Sequence, residues 1–303
     1  MATISEGPLS SRAAEAEGLS ARLPTLVIAA RKVARSVMGG VHGRRVAGAG
    51  ETFWQFRPFV SGEPASRVDW RRSARGVHAF VREREWEAAQ TLWIWIDRSP
   101  SMRFGSTLAE GSKLDRAIVL ALALADLAAR GGERVGLLGL SRPVATRGVI
   151  ERFAEILAAA EGAPAAALPP PTPISPRSRL VLIGDFLDAI EDIDRAFAGL
   201  GSEGVVGHLV SIADPIEETF PFTGNVEFLE VAGERRLRAA KAERWRDDYL
   251  RALADHREAL RGLAARRGWD LLLHRTDASA ARALLALSVR LAEPASASHE
   301  RSA

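Results

Sequence analysis

The chain has 303 residues, 47% apolar and 26% charged, which is enough for a real core and excludes a disordered polyelectrolyte. Its 41 basic and 38 acidic side chains nearly cancel, so the net charge of +3 does not by itself argue for a nucleic-acid partner. Cysteine is absent, which removes disulfides, thiolate metal sites, iron–sulfur clusters and cysteine nucleophiles together.

Residues 1–20 carry Glu6, Arg12, Glu15 and Glu17 and no apolar signal core, and read as a disordered leader. No run reaches the roughly 18 to 20 apolar residues of a spanning helix. A cytoplasmic protein with no membrane span is the expectation. Leu23, Leu26, Val27, Ala30, Val33, Ala34 and Val37 share one face of a helix predicted over 22–38, and Gly39-Gly40 stops it. Phe53–Phe59 begins as a strand and is cut by Pro58, and residues 77–89 alternate as a second strand. Together residues 21–90 form an N-terminal helix followed by a small β-rich subdomain.

Ten basic and three acidic residues fall between positions 31 and 75. With Trp54, Phe56 and Trp70 they could grip a nucleic-acid backbone and stack bases. The preferred reading is internal: arginines paired with Glu51, Glu63 and Asp69, and Trp70 packed between subdomain and sheet. Nucleic acid is therefore not the expected partner.

From Thr91 the pattern changes. Leu92–Ile96 is a continuous apolar run closed by Asp97, the signature of a strand buried on both faces. Strands follow at 134–140, 180–183, 205–212, 226–231 and 269–274. Helices are predicted over 113–130, 149–160, 190–200, 238–267 and 278–291, and a Pro-rich loop over 163–176. This alternation gives an α/β domain, residues 91–292, with a mostly parallel sheet flanked by helices, and a low-complexity tail over 293–303. Trp93 and Trp95 lie two apart on one strand and pack on the same face.

Ligands of such sheets sit at the carboxyl ends of the strands, where both Asp97 and Asp185 fall. Asp97-Arg98-Ser99-Pro100-Ser101 offers one carboxylate and two hydroxyls at i, i+2 and i+4. Hard cations such as Mg²⁺ take oxygen ligands. A divalent ion held by one carboxylate and neutral hydroxyls stays under-neutralised and seeks an outside anion. The competing reading is that Asp97 and Ser99 merely cap the next turn.

Asp-x-Ser-x-Ser after a buried strand resembles the metal-ion-dependent adhesion site of von Willebrand factor A domains. Upstream, Gly48-Ala49-Gly50-Glu51-Thr52-Phe53-Trp54-Gln55-Phe56-Arg57, Gly62-Glu63 and Arg67-Val68-Asp69-Trp70-Arg71-Arg72-Ser73-Ala74-Arg75 resemble the signature of the bacterial domain-of-unknown-function 58 family, with Val68 where members place Ile. The resemblance covers roughly residues 40–290. It implies a von Willebrand A-like, Rossmann-type sheet and a cation site of Asp97, Ser99, Ser101, Thr172 and Asp185 holding Mg²⁺, or Mn²⁺ or Ca²⁺. Thr172 departs from the pattern: prolines flank it and no helix precedes the next strand, with Thr146 a weaker alternative. Members are often encoded beside MoxR-type AAA+ ATPases, which makes such an ATPase the implied partner.

Other chemistries lack their motifs. None of the six histidines lies within five residues of another, so no zinc spacing exists. There is no Gly-x-Ser-x-Gly elbow and no Gly-Lys-Ser/Thr phosphate loop. No His or spare Glu stands near either aspartate motif. The expectation is a non-enzymatic, metal-dependent protein-binding module with no catalytic residues. The alternatives are a metal-assisted hydrolase and an Arg-driven nucleic-acid binder.

Overall fold

The computed structural model describes residues 18–41, 53–60, 63–64, 68–74, 79–84, 90–200, 204–229 and 236–292. The leader up to residue 17, the glycine-rich run 42–52 with Glu51, and the tail from residue 293 lie outside the described residues. So do the side chains of Trp54 and Phe56.

Helix α1 (Leu19–Val41) is the first element. Its apolar stripe, Leu23, Leu26, Ala30, Ala34 and Val37, is buried in the largest core cluster. Glu161 accepts from the backbone N–H groups of Leu19 and Ser20, which cap the helix start. Arg22 grips Asp115 through both carboxylate oxygens at 2.5 and 2.6 Å. The buried face of α1 joins the core of the α/β body.

Strands β1 (Phe53–Pro58) and β2 (Phe80–Arg84) pair antiparallel. The strand predicted over 77–89 is thus a five-residue strand, and its flanks at 77–78 and 85–89 lie outside the described residues. Between β1 and β2 the short helix α2 (Trp70–Ser73) is capped by Asp69, whose carboxylate accepts from Arg72 N–H at 2.9 Å. The exposure of Trp70 corrects the expectation for that residue. Asp69 acts on backbone, and Trp70 at the first helical position is 66% exposed, so it is not a wedge against the sheet.

The body is a five-stranded parallel sheet in the order β4 (Arg134–Leu137), β3 (Thr91–Ile96), β5 (Arg179–Gly184), β6 (Val206–Ala213), β9 (Asp270–Arg275). Period-two alternation sends Leu92, Ile94 and Ile96 to one face, against α1, α3 (Lys113–Arg130), α4 (Val149–Ala159) and α8 (Ala280–Ala292). Trp93 and Trp95 turn to the other, with Leu180, Leu182 and Leu209, under α5 (Ile190–Ala198) and α7 (Arg246–Ala265). The result is three layers with two cores.

Several predicted boundaries move: α1 is not stopped by Gly39-Gly40 but runs on to Val41, and the strand predicted over 134–140 ends at Leu137. Residues Arg238 onward do not start a helix: Arg236–Ala239 is strand β8, paired antiparallel with β7 (Val226–Leu229). Helix α7 begins at Arg246. Phe220, Phe222, Phe228 and Tyr249 hold this hairpin to the body through ring contacts of 4.8 to 5.7 Å.

His274 on β9 is 6% exposed, and its Nε2 has no partner among the described residues. Burial, reinforced by the Arg116 charge, pushes its pKa down to about 4. The unfolded chain takes up this proton below about pH 6.5 while the fold refuses it, so stability falls as pH drops from 6.5 towards 4. By pH 4.5 the loss is about 2 kcal/mol at this site. Urea unfolding at pH 7 and pH 4.5 should show a difference smaller by that amount in His274→Leu than in wild type. An identical pH response in the two proteins would place the charge uptake elsewhere.

Candidate functional site

The rim at the carboxyl ends of β3, β5 and β6 is set by strand register. Ile96 pairs with Ile183, and the Asp97 N–H extends the ladder onto the Ile183 carbonyl at 2.8 Å. Gly184 therefore stands beside Asp97. A Cβ at Gly184 would lie 3.0 Å from Asp97 Cβ and 3.4 Å from Oδ2, so glycine is what leaves the carboxylate its space. Asp185 follows directly.

Asp97 is 0% exposed. Its Oδ1 accepts from Ser99 N–H at 2.8 Å, which is the capping contact, but Oδ2 is buried without a partner among the described residues. Burial, outweighing the Ser99 hydrogen bonds and helped by the charges of Asp185 and Asp188, pushes its pKa up to about 7. Ser99 and Ser101 bring their hydroxyls together, Oγ to Oγ 3.0 Å, with a 3₁₀ turn from Pro100 to Arg103 fixing the second.

Asp185 has a different partner. Lys113, the first residue of α3, is 1% exposed. Its ammonium donates to Asp185 at 3.0 Å and to Glu217 at 2.7 Å. Burial works against its charge, but the Glu217 and Asp185 carboxylates prevail and hold its pKa above the ordinary lysine value. Glu217 sits on α6 (Pro215–Thr219), where its other oxygen accepts from Asp214 N–H in a capping box. Asp214, fully buried at the end of β6, accepts in turn from Ser106 N–H at 2.8 Å. The loop after β3, the end of β5 and helix α6 are thus tied by one polar network.

Thr172 has a local partner. Its hydroxyl donates to the Pro170 carbonyl at 3.0 Å, and Pro171 lies against Gly199, past the end of α5. No hydrogen bond joins Thr172 to Asp97, Ser99, Ser101 or Asp185 among the described residues. Thr146 accepts from Gly148 N–H, before α4.

Sequence reasoning missed Lys113, Asp214 and Glu217. Asp214 was open to the rule that picked Asp97 and Asp185, an Asp closing an apolar strand. Lys113 carries a fainter signal: it is one of three lysines in a chain with 41 basic residues. A compact point charge serves a closed niche that the larger guanidinium fork would overfill. The expectation of no His or Glu near the motifs is also corrected. Glu217 meets Lys113, and His256 Nε2 donates to the Phe186 carbonyl at 2.6 Å.

The donor set can be tested against a metal. No group of three or more His, Asp or Glu side chains is placed to hold one among the described residues. An orphaned buried carboxylate oxygen, with two clustered hydroxyls on the same loop, nonetheless suits a hard cation that keeps several waters. Lys113, Asp185 and Glu217 together carry one net negative charge, so the ammonium does not by itself repel such an ion. The fit is to Asp97, Ser99 and Ser101, with Asp185 held at one remove by Lys113.

Comparison with known proteins gives a family without an activity. The family described as "Protein of unknown function DUF58" matches residues 55–259. Uncharacterized protein Rv1480 of Mycobacterium tuberculosis and uncharacterized protein Mb1516 of Mycobacterium bovis are each 27% identical over 274 residues, covering 86% of this chain and 85% of the relative. Among solved structures, the conserved hypothetical protein BatB from Bacteroides thetaiotaomicron aligns with a TM-score of 0.33 and 12% identity, over 68% of this chain and 100% of that one, a likeness too low to carry an argument. The match across more than half of its length makes the chain a member of the DUF58 family.

Proposed function

We propose that this protein is a non-enzymatic, metal-dependent protein-binding module with a von Willebrand A-like sheet. Asp97 supplies the charged ligand, and Ser99 and Ser101 supply neutral oxygens. Asp185 acts through the Lys113 network. The observation that carries the reading is the unpartnered Oδ2 of a fully buried Asp97, on the same loop as the clustered hydroxyls of Ser99 and Ser101. A buried carboxylate oxygen left without a donor is costly unless something else occupies it. Mg²⁺ would neutralise it and, having one carboxylate ligand, would accept another from a partner protein. A MoxR-type AAA+ ATPase is the partner that the family resemblance supports. Glu217 and His256 are engaged by Lys113 and the Phe186 carbonyl, which favours binding over metal-assisted hydrolysis.

Calorimetry should detect Mg²⁺ binding by the wild type. Asp97→Asn and the double variant Ser99→Ala/Ser101→Ala should weaken it by about tenfold or more, with far-UV spectra unchanged. A purified MoxR-type ATPase from the same organism should co-elute with wild type in Mg²⁺ and separate in EDTA. Equal Mg²⁺ binding by all three proteins would remove the site. An EDTA-resistant complex would remove the mechanism.

A further inference from the structure

We propose that the cavity between the Asp97 loop and the Pro-rich segment is a second ligand site, for a short apolar group that carries a carboxylate. It is a cleft of about 230 Å³, open to solvent on one side, at the carboxyl ends of β3 and β4. Trp95, Leu138, Leu140 and Leu168 form its apolar walls, and the chain from Pro164 to Pro170 closes over it. The closure is built into the backbone. Gly139 holds φ +78°, and a Cβ there would sit 3.1 Å from Pro170 Cγ.

Arg98 supplies the polar feature. Its side chain lines the cavity and is half-buried, and Nη1 donates to the Ala160 carbonyl at 2.8 Å. That bond fixes the direction of the fork. Among the described residues no carboxylate pairs with this guanidinium, whereas Arg22, Arg257 and Arg275 all have one. A half-buried guanidinium short of an anion recognises a carboxylate, and its planar fork does so bidentately.

Size sets the rest of the ligand. An apolar cavity of roughly 150 Å³ admits benzene. The larger space here takes a ring or a leucine-sized group with a short stem, and is below the roughly 300 Å³ at which drug-sized pockets begin. Two sources share this chemistry: a free small carboxylic acid, and the C-terminal Phe or Leu of a polypeptide. Neither needs the cation at Asp97, so the test is run in EDTA and stands whether or not Mg²⁺ binds.

The probes are 3-phenylpropanoate and its amide, followed by saturation-transfer NMR and calorimetry. Wild type should bind the acid at least tenfold tighter than the amide. Arg98→Gln should erase that preference while still taking up the amide. Ala165→Trp, which fills the space from the roof, should abolish both, with Leu140→Phe as the filling variant if it does not fold. A Gly-Gly-Ala-Phe peptide with a free C-terminus, set against its amidated form, separates the sources. Tighter binding of the free peptide than of 3-phenylpropanoate identifies a chain end, and the reverse order identifies a small acid. Equal binding of acid and amide by wild type, an acid preference retained by Arg98→Gln, binding of either probe retained by the folded filling variant, or no binding of any probe overturns the proposal.

Discussion

Lys113→Met is expected to lower the free energy of unfolding by about 3 to 5 kcal/mol in urea titration at pH 7. The reason is the company the ammonium leaves behind. Lys113 is 1% exposed, and its two partners, Asp185 and Glu217, are themselves withdrawn from water. Removing the cation strands two like charges in one niche, and a methionine of similar length returns only packing. Lys113→Arg should also be destabilised, because the niche is closed and already meets the Phe104 ring, 5.9 Å from the ammonium. Adding Asp185→Asn and Glu217→Gln to Lys113→Met should recover most of the loss, since the stranded charges are then gone. A single-variant loss under about 1 kcal/mol would mean that water reaches the trio and that it behaves as a surface pair.

The same variant bears on the metal. With the ammonium gone, Asp185 is free to turn to a cation beside Asp97. Mg²⁺ should then raise the unfolding midpoint of Lys113→Met more than that of wild type, because a ligand bound only by the native state stabilises it by mass action. An equal rise in the two proteins would separate Asp185 from the cation altogether.

What the sequence reveals of this fold follows from where each signal is stored. Buried parallel strands are written as short apolar runs closed by a polar residue, so Leu92–Ile96 and Leu180–Ile183 declare themselves and place Asp97 and Asp185 at one rim. The alternation within β3 also places Trp93 and Trp95 on one face. The β7–β8 hairpin has no such local mark. Arg236, Leu237 and Arg238 are exposed, and the pairing is held by aromatic contacts that involve Phe220 and Tyr249, outside both strands. A charged stretch leading into a helix therefore reads as part of that helix. Trp70 fails for another reason: its Asp69 cap starts a helix on the surface, and local geometry outranks the bulk of the ring. Lys113 meets partners 72 and 104 positions away, a juxtaposition made only by the crossovers of the sheet.

Trp269→Ala should remove about 3 to 5 kcal/mol, comparable to the lysine variant but by a different mechanism. The indole is 7% exposed and stands between α5 and β6, with its ring 5.5 Å from Phe197. Its Nε1–H donates to the Val205 carbonyl at 3.1 Å, so truncation leaves a cavity and an acceptor without its donor. Gly207 on β6 exists for this ring. A Cβ there would fall 2.3 Å from Trp269 Cδ2, closer than any real contact, which explains a glycine inside a central strand. Gly207→Ala alone should therefore also destabilise, by displacing the ring. The two changes should be far from additive: once the indole is gone, the Gly207→Ala methyl enters empty space and partly fills it. The double variant should thus be no less stable than Trp269→Ala alone, with a coupling of about 1 kcal/mol or more in the cycle. Additive losses would mean that Gly207 serves some need other than the ring, and that the fit between strand and indole is not what holds this face of the sheet together.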